Sequence, residues 1–468
     1  MPAATSRKIT LLTLALLAGA ALRLWFIHMF PQVVGDSLLY GDMARNLLQH
    51  GIYGRTFSDG IHPTLIRLPG YPLFLAACFR LFGMEHYHAV LYVQATVDLV
   101  SCLLIAAFVR RISGERQAWI ALYLAVLCPF TANYTSNAMT ETLSIFAVAL
   151  ALYGMALLLQ KPGVHERLAL GLLAFAFSFA ALLRPDGALL AIAFCPAIIV
   201  HGSRHGSPQG GFRRSLHQAL VCGLLAILPF VPWTLRNWHT FHVFQPLAPR
   251  YATDPGEPTT PGLQRWMKTW CVDFSSTYEI YWNVDSDRLE VQDLPSRAFD
   301  SAEQFANTQA IFDEYNRGLS LTPELDARFK ALADARVRSY PLRYYVALPF
   351  ARVLNMWLRP RVEVLPIELR WWQYWLHYQE SYVVFAYGAL GLGYLIAAFA
   401  GLIRRPPFAG AMVAYILLRS LLLATIEAPE TRYTLECFPM IIALAAMAFS
   451  NRTRGQATCA PSVYPARA

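Results

Sequence analysis

The chain of 468 residues is 56% hydrophobic and only 15% charged, with a formal net charge of +9. Soluble domains average about 45–50% apolar and about 25% charged, so an ordinary soluble protein is excluded. The basic residues sit in short loops between long apolar blocks, which excludes a nucleic-acid binder as well. The eight cysteines are scattered, most of them inside apolar segments (Cys102, Cys128, Cys195, Cys222), and no CxxC occurs. That pattern gives neither a disulfide framework nor a zinc site. The class is an all-α polytopic membrane protein.

Residues 9–29 follow Arg7 and Lys8 and are long enough to span. With no small-residue cleavage site they read as a retained anchor whose N-terminus is cytoplasmic. The first outer loop, 31–68, opens with an amphipathic helix. In GDSLLYGDMARNLLQHGIYG at 35–54, Leu39, Met43 and Leu47 make an apolar stripe that Tyr40, Ala44 and Leu48 widen. Asp36 lies at the start of that helix, at the water–lipid boundary; the bland alternative makes it an N-cap. After IRLPGYP at 66–72, the apolar piece 70–84 is too short to span comfortably, whereas 88–109 is long enough. If only the second crosses, Arg110, Arg111 and Arg116 and the basic pairs at 213–214, 404–405 and 452–454 all face the cytoplasm. The loop-charge bias therefore makes 70–84 a surface or re-entrant helix.

Further spans are expected near 117–133, 140–160, 168–183, 186–201, 216–237, 381–403, 408–425 and 434–450, about ten in total. The LRPDG break at 182–187 separates two short spans. Residues 1–238 thus form an N-terminal transmembrane module, 239–380 a largely helical extracytoplasmic domain, 381–450 the C-terminal spans and 451–468 a cytoplasmic tail. Within the outer domain, 302–317 and 323–357 read as helices, the second interrupted by Pro341 and Pro349. The aromatic run through Trp371, Trp372, Tyr374 and Trp375 reads as an interfacial belt. Gln94 and Asp98, one turn apart inside a span, read as interhelical hydrogen-bonding groups.

This topology gathers ionisable residues at the outer face: Asp36, Asp42 and Arg67 in the first loop, Glu141 at the start of a span, Arg184 and Asp186 in an outer turn, and Glu427, Glu430 and Arg432 in IEAPETRY at 426–433. Charges at membrane depth are costly and mark either function or buried pairs. Arginine forks match phosphate, and a carboxylate serves as a general base on a hydroxyl.

Five features taken in order carry a resemblance: Asp36 after the first span, Arg-x-Pro-Gly-Tyr-Pro at 67–72, Glu141 ahead of a span, Leu-Arg-Pro at 183–185, and Glu-x-Arg-Tyr at 430–433. The chain resembles the GT-C class of membrane glycosyltransferases, in the branch of the dolichyl-phosphate-mannose–protein mannosyltransferases, the lipid A aminoarabinose transferases and the RgtA/B/C/D-like enzymes. The resemblance implies a GT-C fold and sugar transfer from a polyprenyl-phosphate carrier to a glycan, lipid or protein acceptor on the outer, periplasmic face of a bacterial-type inner membrane. Cell-envelope or lipopolysaccharide glycosylation fits that class. It implies Asp36 as catalytic base and Arg67, Arg184 and Arg432 as ligands of the donor phosphate, with Tyr53, Glu141, Glu430 and Tyr433 as further substrate-binding candidates. A divalent metal is an option in this class, and Asp36 and Glu141 are the acids to hold it. One departure is Asp36-Ser37, where many relatives have Asp-Glu, and it leaves the acceptor open. A transporter or carrier flippase is the alternative from another class, and Asp36→Asn discriminates against a non-catalytic scaffold.

Overall fold

A computed structural model describes residues 2–158, 165–205, 211–368, 370–372 and 378–449. The fold is all-helical apart from one two-stranded hairpin among the described residues. The expected cytoplasmic tail, Tyr374 and Trp375 lie outside the described residues.

Helix α1 (Pro2–Met29) leads into α2 (Asp36–His50), the hairpin β1 (Gly54–Phe57) and β2 (Gly60–Pro63), and α3 (Gly70–Phe82). Next come α4 (Tyr87–Ser113), α5 (Glu115–Val126), α6 (Pro129–Asn133), α7 (Glu141–Leu158), α8 (Glu166–Leu183), α9 (Leu189–His205), α10 (Gly211–Ile227) and α11 (Phe230–Phe241). The region expected to lie outside contains α12 (Pro261–Lys268), α13 (Phe274–Glu279), α14 (Ala302–Gly318), α15 (Pro323–Ser339) and α16 (Leu348–Leu358). Helices α17 (Tyr378–Leu402), α18 (Ala409–Leu423) and α19 (Phe438–Met447) follow.

All ten segments expected to span are largely helical over their described residues. Seven are long and apolar enough to cross a membrane, and the pair α5 and Pro129–Ser136, bent by 42°, makes up to eight. The other two, α18 and α19, have 15 and 10 residues. Helix α3, with 13 residues, rises only about 20 Å against a hydrocarbon core of about 30 Å, in keeping with a helix that does not cross.

Hydrophobicity decides which helices are central. Every residue of α19 is buried, and so are most of α7, because both are apolar all round. Small residues allow close packing there: a Cβ on Gly401 of α17 would lie 1.7 Å from the Leu444 carbonyl of α19. Helices α12, α14 and α15 have a separate core that includes Trp266, Met267, Trp270, Phe312, Tyr315 and Phe329. Pro341 coincides with the end of the long expected helix: α15 stops at Ser339, and a π-helical turn, Arg343–Ala347, precedes α16.

Two polar groups deep in the bundle are spent on packing. Arg23 of α1 donates to Asp98 of α4 through Nε at 2.8 Å, and its Nη1 reaches the Gly19 and Val126 carbonyls, each at 2.8 Å. Gln94 accepts from the Tyr71 hydroxyl at 2.7 Å and donates to the Asn137 carbonyl at 2.8 Å. Both arrangements are interhelical, as the spacing of Gln94 and Asp98 suggests. Asp98→Leu strands the buried Arg23 guanidinium and is expected to cost about 3–5 kcal/mol of stability, read as thermal unfolding in detergent. Pairing it with Arg23→Met should recover most of the loss. An equal loss in the single and double variants would show that the two side chains do not act as a pair.

Candidate functional site

Chain direction brings one set of helix ends together. The start of α2, the start of α7, the α8–α9 turn and the α18–α19 connection share one end of the bundle. The other end carries the pair of Lys8 with Glu115 at 2.6 Å and that of Arg214 with Glu166.

Local sequence explains each position. Gly35 has φ 55°, a left-handed conformation that suits glycine, and it caps α2 so that Asp36 is the first helical residue. The Asp36 carboxylate caps no backbone amide; it accepts from Arg67 Nη2 at 2.9 Å. Pro185 disfavours helical geometry at the residue before it, so α8 ends at Leu183 and Arg184 is extended, with φ −149° and ψ 140°. Gly187 then lets the turn fold back on α8, since a Cβ there would lie 2.1 Å from the Ala180 carbonyl.

The charges form two layers. Behind lie Glu141, Glu430, Glu436 and Arg419, whose side chains are 0–4% exposed. In front, open to solvent, are Asp36 (34%), Arg67 (25%), Arg184 (20%) and Arg432 (13%). Arg419 pairs with Glu436 and, at 3.1 Å, with Asp186, and donates to the Tyr433 carbonyl at 2.7 Å. Arg184 lies 3.1 Å from Asp186, 3.4 Å from Glu436 and 3.6 Å from Glu141. Arg432 pairs with Glu430 and lies 3.6 Å from Glu141. Tyr433 donates to Glu430, and the Arg184 guanidinium is 5.0 Å from the centre of its ring.

Glu141 is the loosest member. Neither of its oxygens has a hydrogen-bond partner among the described residues, and both arginines stand beyond hydrogen-bond range. Arg184 and Arg432 are therefore held near Glu141 without a direct hydrogen bond to it. At Asp36, burial works against the charge, but Arg67, and then Arg432 and Arg184, outweigh it and hold the carboxyl below its usual value. Asp36 is ionised at neutral pH.

The structure thus brings Asp36, Arg67, Glu141, Arg184, Glu430, Arg432 and Tyr433 to one end of the bundle. Tyr53 turns inward, its hydroxyl on the Arg67 and Leu68 carbonyls at 3.0 and 3.3 Å. Asp42 faces the hairpin, accepting from the Thr56 amide at 2.7 Å. Glu427 pairs with Lys268 of α12 at 3.4 Å. Sequence reasoning passed over Arg419 and Glu436. A lone arginine in ILLRSLLL and an acid just ahead of an apolar run are the signals that would have found them. The residues do not fit a metal. Among the described residues no three His, Cys, Asp or Glu side chains are grouped to hold one, and Asp36 and Glu141 each face arginine.

Residues 62–233 match the family described as dolichyl-phosphate-mannose-protein mannosyltransferase. Over those residues the chain is similar to a glycosyltransferase family. The match takes in Arg67, Glu141 and Arg184, and the resemblance drawn from the motifs is borne out there; Asp36 and the 430–433 motif lie outside it. No curated protein matches the sequence. Among solved structures, the oligosaccharyltransferase AglB from Archaeoglobus fulgidus, in complex with an inhibitory peptide and a dolichol-phosphate, aligns at TM-score 0.49 and 14% identity over 94% of this chain and 50% of that one. This chain thus spans half the length of AglB. ArnT from Cupriavidus metallidurans, bound to undecaprenyl phosphate, aligns at TM-score 0.41 and 14% identity over 95% of this chain and 78% of that one.

The two layers predict different responses to substitution. Arg419→Met takes the fully buried one of the two cations that Glu436 and Asp186 share, leaving them Arg184, and is expected to cost about 3–5 kcal/mol in detergent unfolding. Arg67→Gln, in the open layer, is expected to change stability by no more than about 1 kcal/mol. Comparable losses from the two would contradict the division into layers.

Proposed function

We propose that the protein is a membrane glycosyltransferase that moves a sugar from a polyprenyl-phosphate carrier to a lipid, glycan or protein acceptor on the outer face of the membrane. The observation that carries this reading is the open layer itself, three arginines and one ionised carboxylate backed by buried counter-charges at the end of an apolar bundle. The family match over 62–233 supports the reaction class, and the carriers bound to AglB and ArnT are polyprenyl phosphates.

In this mechanism the prenyl chain lies among the apolar helices and its phosphate meets Arg67, Arg184 and Arg432. The acceptor attacks the sugar's anomeric carbon. A bond forms between that carbon and the acceptor atom, and the bond from carbon to phosphate oxygen breaks, its electron pair leaving with the carrier phosphate. The acceptor's proton passes to Asp36. A carboxylate held at low pKa is a weak base, but it is in the right ionisation state, and the acceptor proton becomes acidic only as the new bond forms. Negative charge grows on the leaving phosphate, where the arginines stabilise it more than in the ground state.

Asp36→Asn keeps the size and one acceptor but takes no proton. It is expected to lower transfer about a hundred-fold or more in membrane vesicles, with polyprenyl-phosphate binding by the purified protein nearly unchanged. Near-normal transfer by this variant at normal expression would remove Asp36 from the mechanism. Sidedness has its own test. A single cysteine at exposed Ser58 is expected to react with impermeant maleimide in intact cells or spheroplasts, and one at exposed Arg116 only after permeabilisation. The opposite pattern would put the site on the inner face.

A further inference from the structure

Arg236, near the end of α11, spends its guanidinium on neutral acceptors, two backbone carbonyls and, at 3.0 Å, Asn237 Oδ1. Its Nη1 donates to the Thr64 carbonyl and its Nη2 to the Tyr53 carbonyl, each at 2.7 Å. The guanidinium also lies against the rings of Tyr53, Trp233 and Phe241, at 5.5, 5.4 and 5.3 Å from their centres. Tyr53 and Thr64 are the residues immediately before β1 and after β2, and the Thr64 amide donates to the Tyr53 carbonyl at 3.1 Å. Arg236 therefore grips the neck of the hairpin. Asp254, from the outer domain, grips the same neck, accepting from Thr64 Oγ1 at 2.6 Å and from the Leu65 amide at 2.8 Å.

The neck leads directly to the open layer. Arg67 lies three residues beyond Thr64, in a stretch with no ladder of its own, and the Tyr53 hydroxyl holds the Arg67 carbonyl. Two carbonyls at equal distance suit the forked donors of arginine, where a lysine ammonium offers a single point.

We infer that Arg236 and Asp254 are positioning residues that clamp the hairpin neck and so set the Arg67 guanidinium against Asp36 and the carrier phosphate. The inference rests on the transferase reading, in which Arg67 binds that phosphate.

Charge separates this role from a long-range electrostatic one. Removing Asp254 takes away a negative charge, so long-range electrostatics alone would tighten the binding of a phosphate, whereas loss of the clamp weakens it. The test is the affinity of the purified full chain for undecaprenyl phosphate in detergent, for monodisperse wild type, Arg67→Gln, Arg236→Gln, Asp254→Ala and the double variant Arg67→Gln/Arg236→Gln. Each single variant is expected to weaken binding about tenfold, and the double variant to be no weaker than Arg67→Gln, because the clamp acts only through Arg67. Arg236→Lys, with one donor point, is expected to restore less than half of the lost binding free energy. Tighter binding by Asp254→Ala, wild-type affinity in Arg236→Gln, or additive losses in the double variant would each overturn the clamp. Wild-type affinity in Arg67→Gln would instead overturn the transferase reading of Arg67, which keeps the two failures apart.

Discussion

Everything at the open end of the bundle depends on how arginine charge is neutralised out of water. A guanidinium at the membrane boundary is costly unless it is paired, and a fully paired one has no donors left for a ligand. The chain resolves this by splitting the task. Arg419, fully buried, is committed to Glu436, Asp186 and the Tyr433 carbonyl, and fixes the α18–α19 connection to the α8–α9 turn. Arg184 leans on the same two carboxylates and Arg432 on Glu430, with Glu141 between them at 3.6 Å from each. They are stabilised where they stand, yet each keeps an open side.

Asp36 and Arg67 complete that surface from a different part of the chain. Their pair is anchored by elements that ordinary hydropathy reasoning treats as connections: a glycine with positive φ before α2, a four-residue hairpin strand pair, and a neck held from α11 and from the outer domain. A loop built this way is tied down without being buried, as the proposed role of Asp36 as a base toward acceptors arriving from water requires.

How much of this was legible in the sequence follows the physics of each signal. The spans were readable because membrane crossing demands long apolar runs, and even the LRPDG break that exposes Arg184 is written in its proline and glycine. The short α18 and α19 were placed correctly, but their true length was not legible, since α19 is shielded by neighbouring helices and does not need to match the bilayer by itself. Asp36 was found as a residue, whereas its partner was decided by a fold-back of 31 residues that no local pattern encodes. Arg23, Arg419 and Glu436 sit in or beside apolar runs whose hydrophobicity hides them, whereas Asp98, the partner of Arg23, stands out through its spacing from Gln94. The hairpin and its clamp left almost no trace, because Tyr53 and Thr64 contribute backbone carbonyls, which every residue carries.

The central claim is that three arginines from three separate elements form one phosphate site beside Asp36. A cryo-electron-microscopy structure of the protein in a lipid nanodisc with undecaprenyl phosphate tests it most directly. The account predicts phosphate density within about 2.7–3.2 Å of guanidinium nitrogens from at least two of Arg67, Arg184 and Arg432, with the prenyl chain running down between the helices. Phosphate density at the opposite end of the bundle, beside Arg110, Arg111 or Arg214, would contradict it.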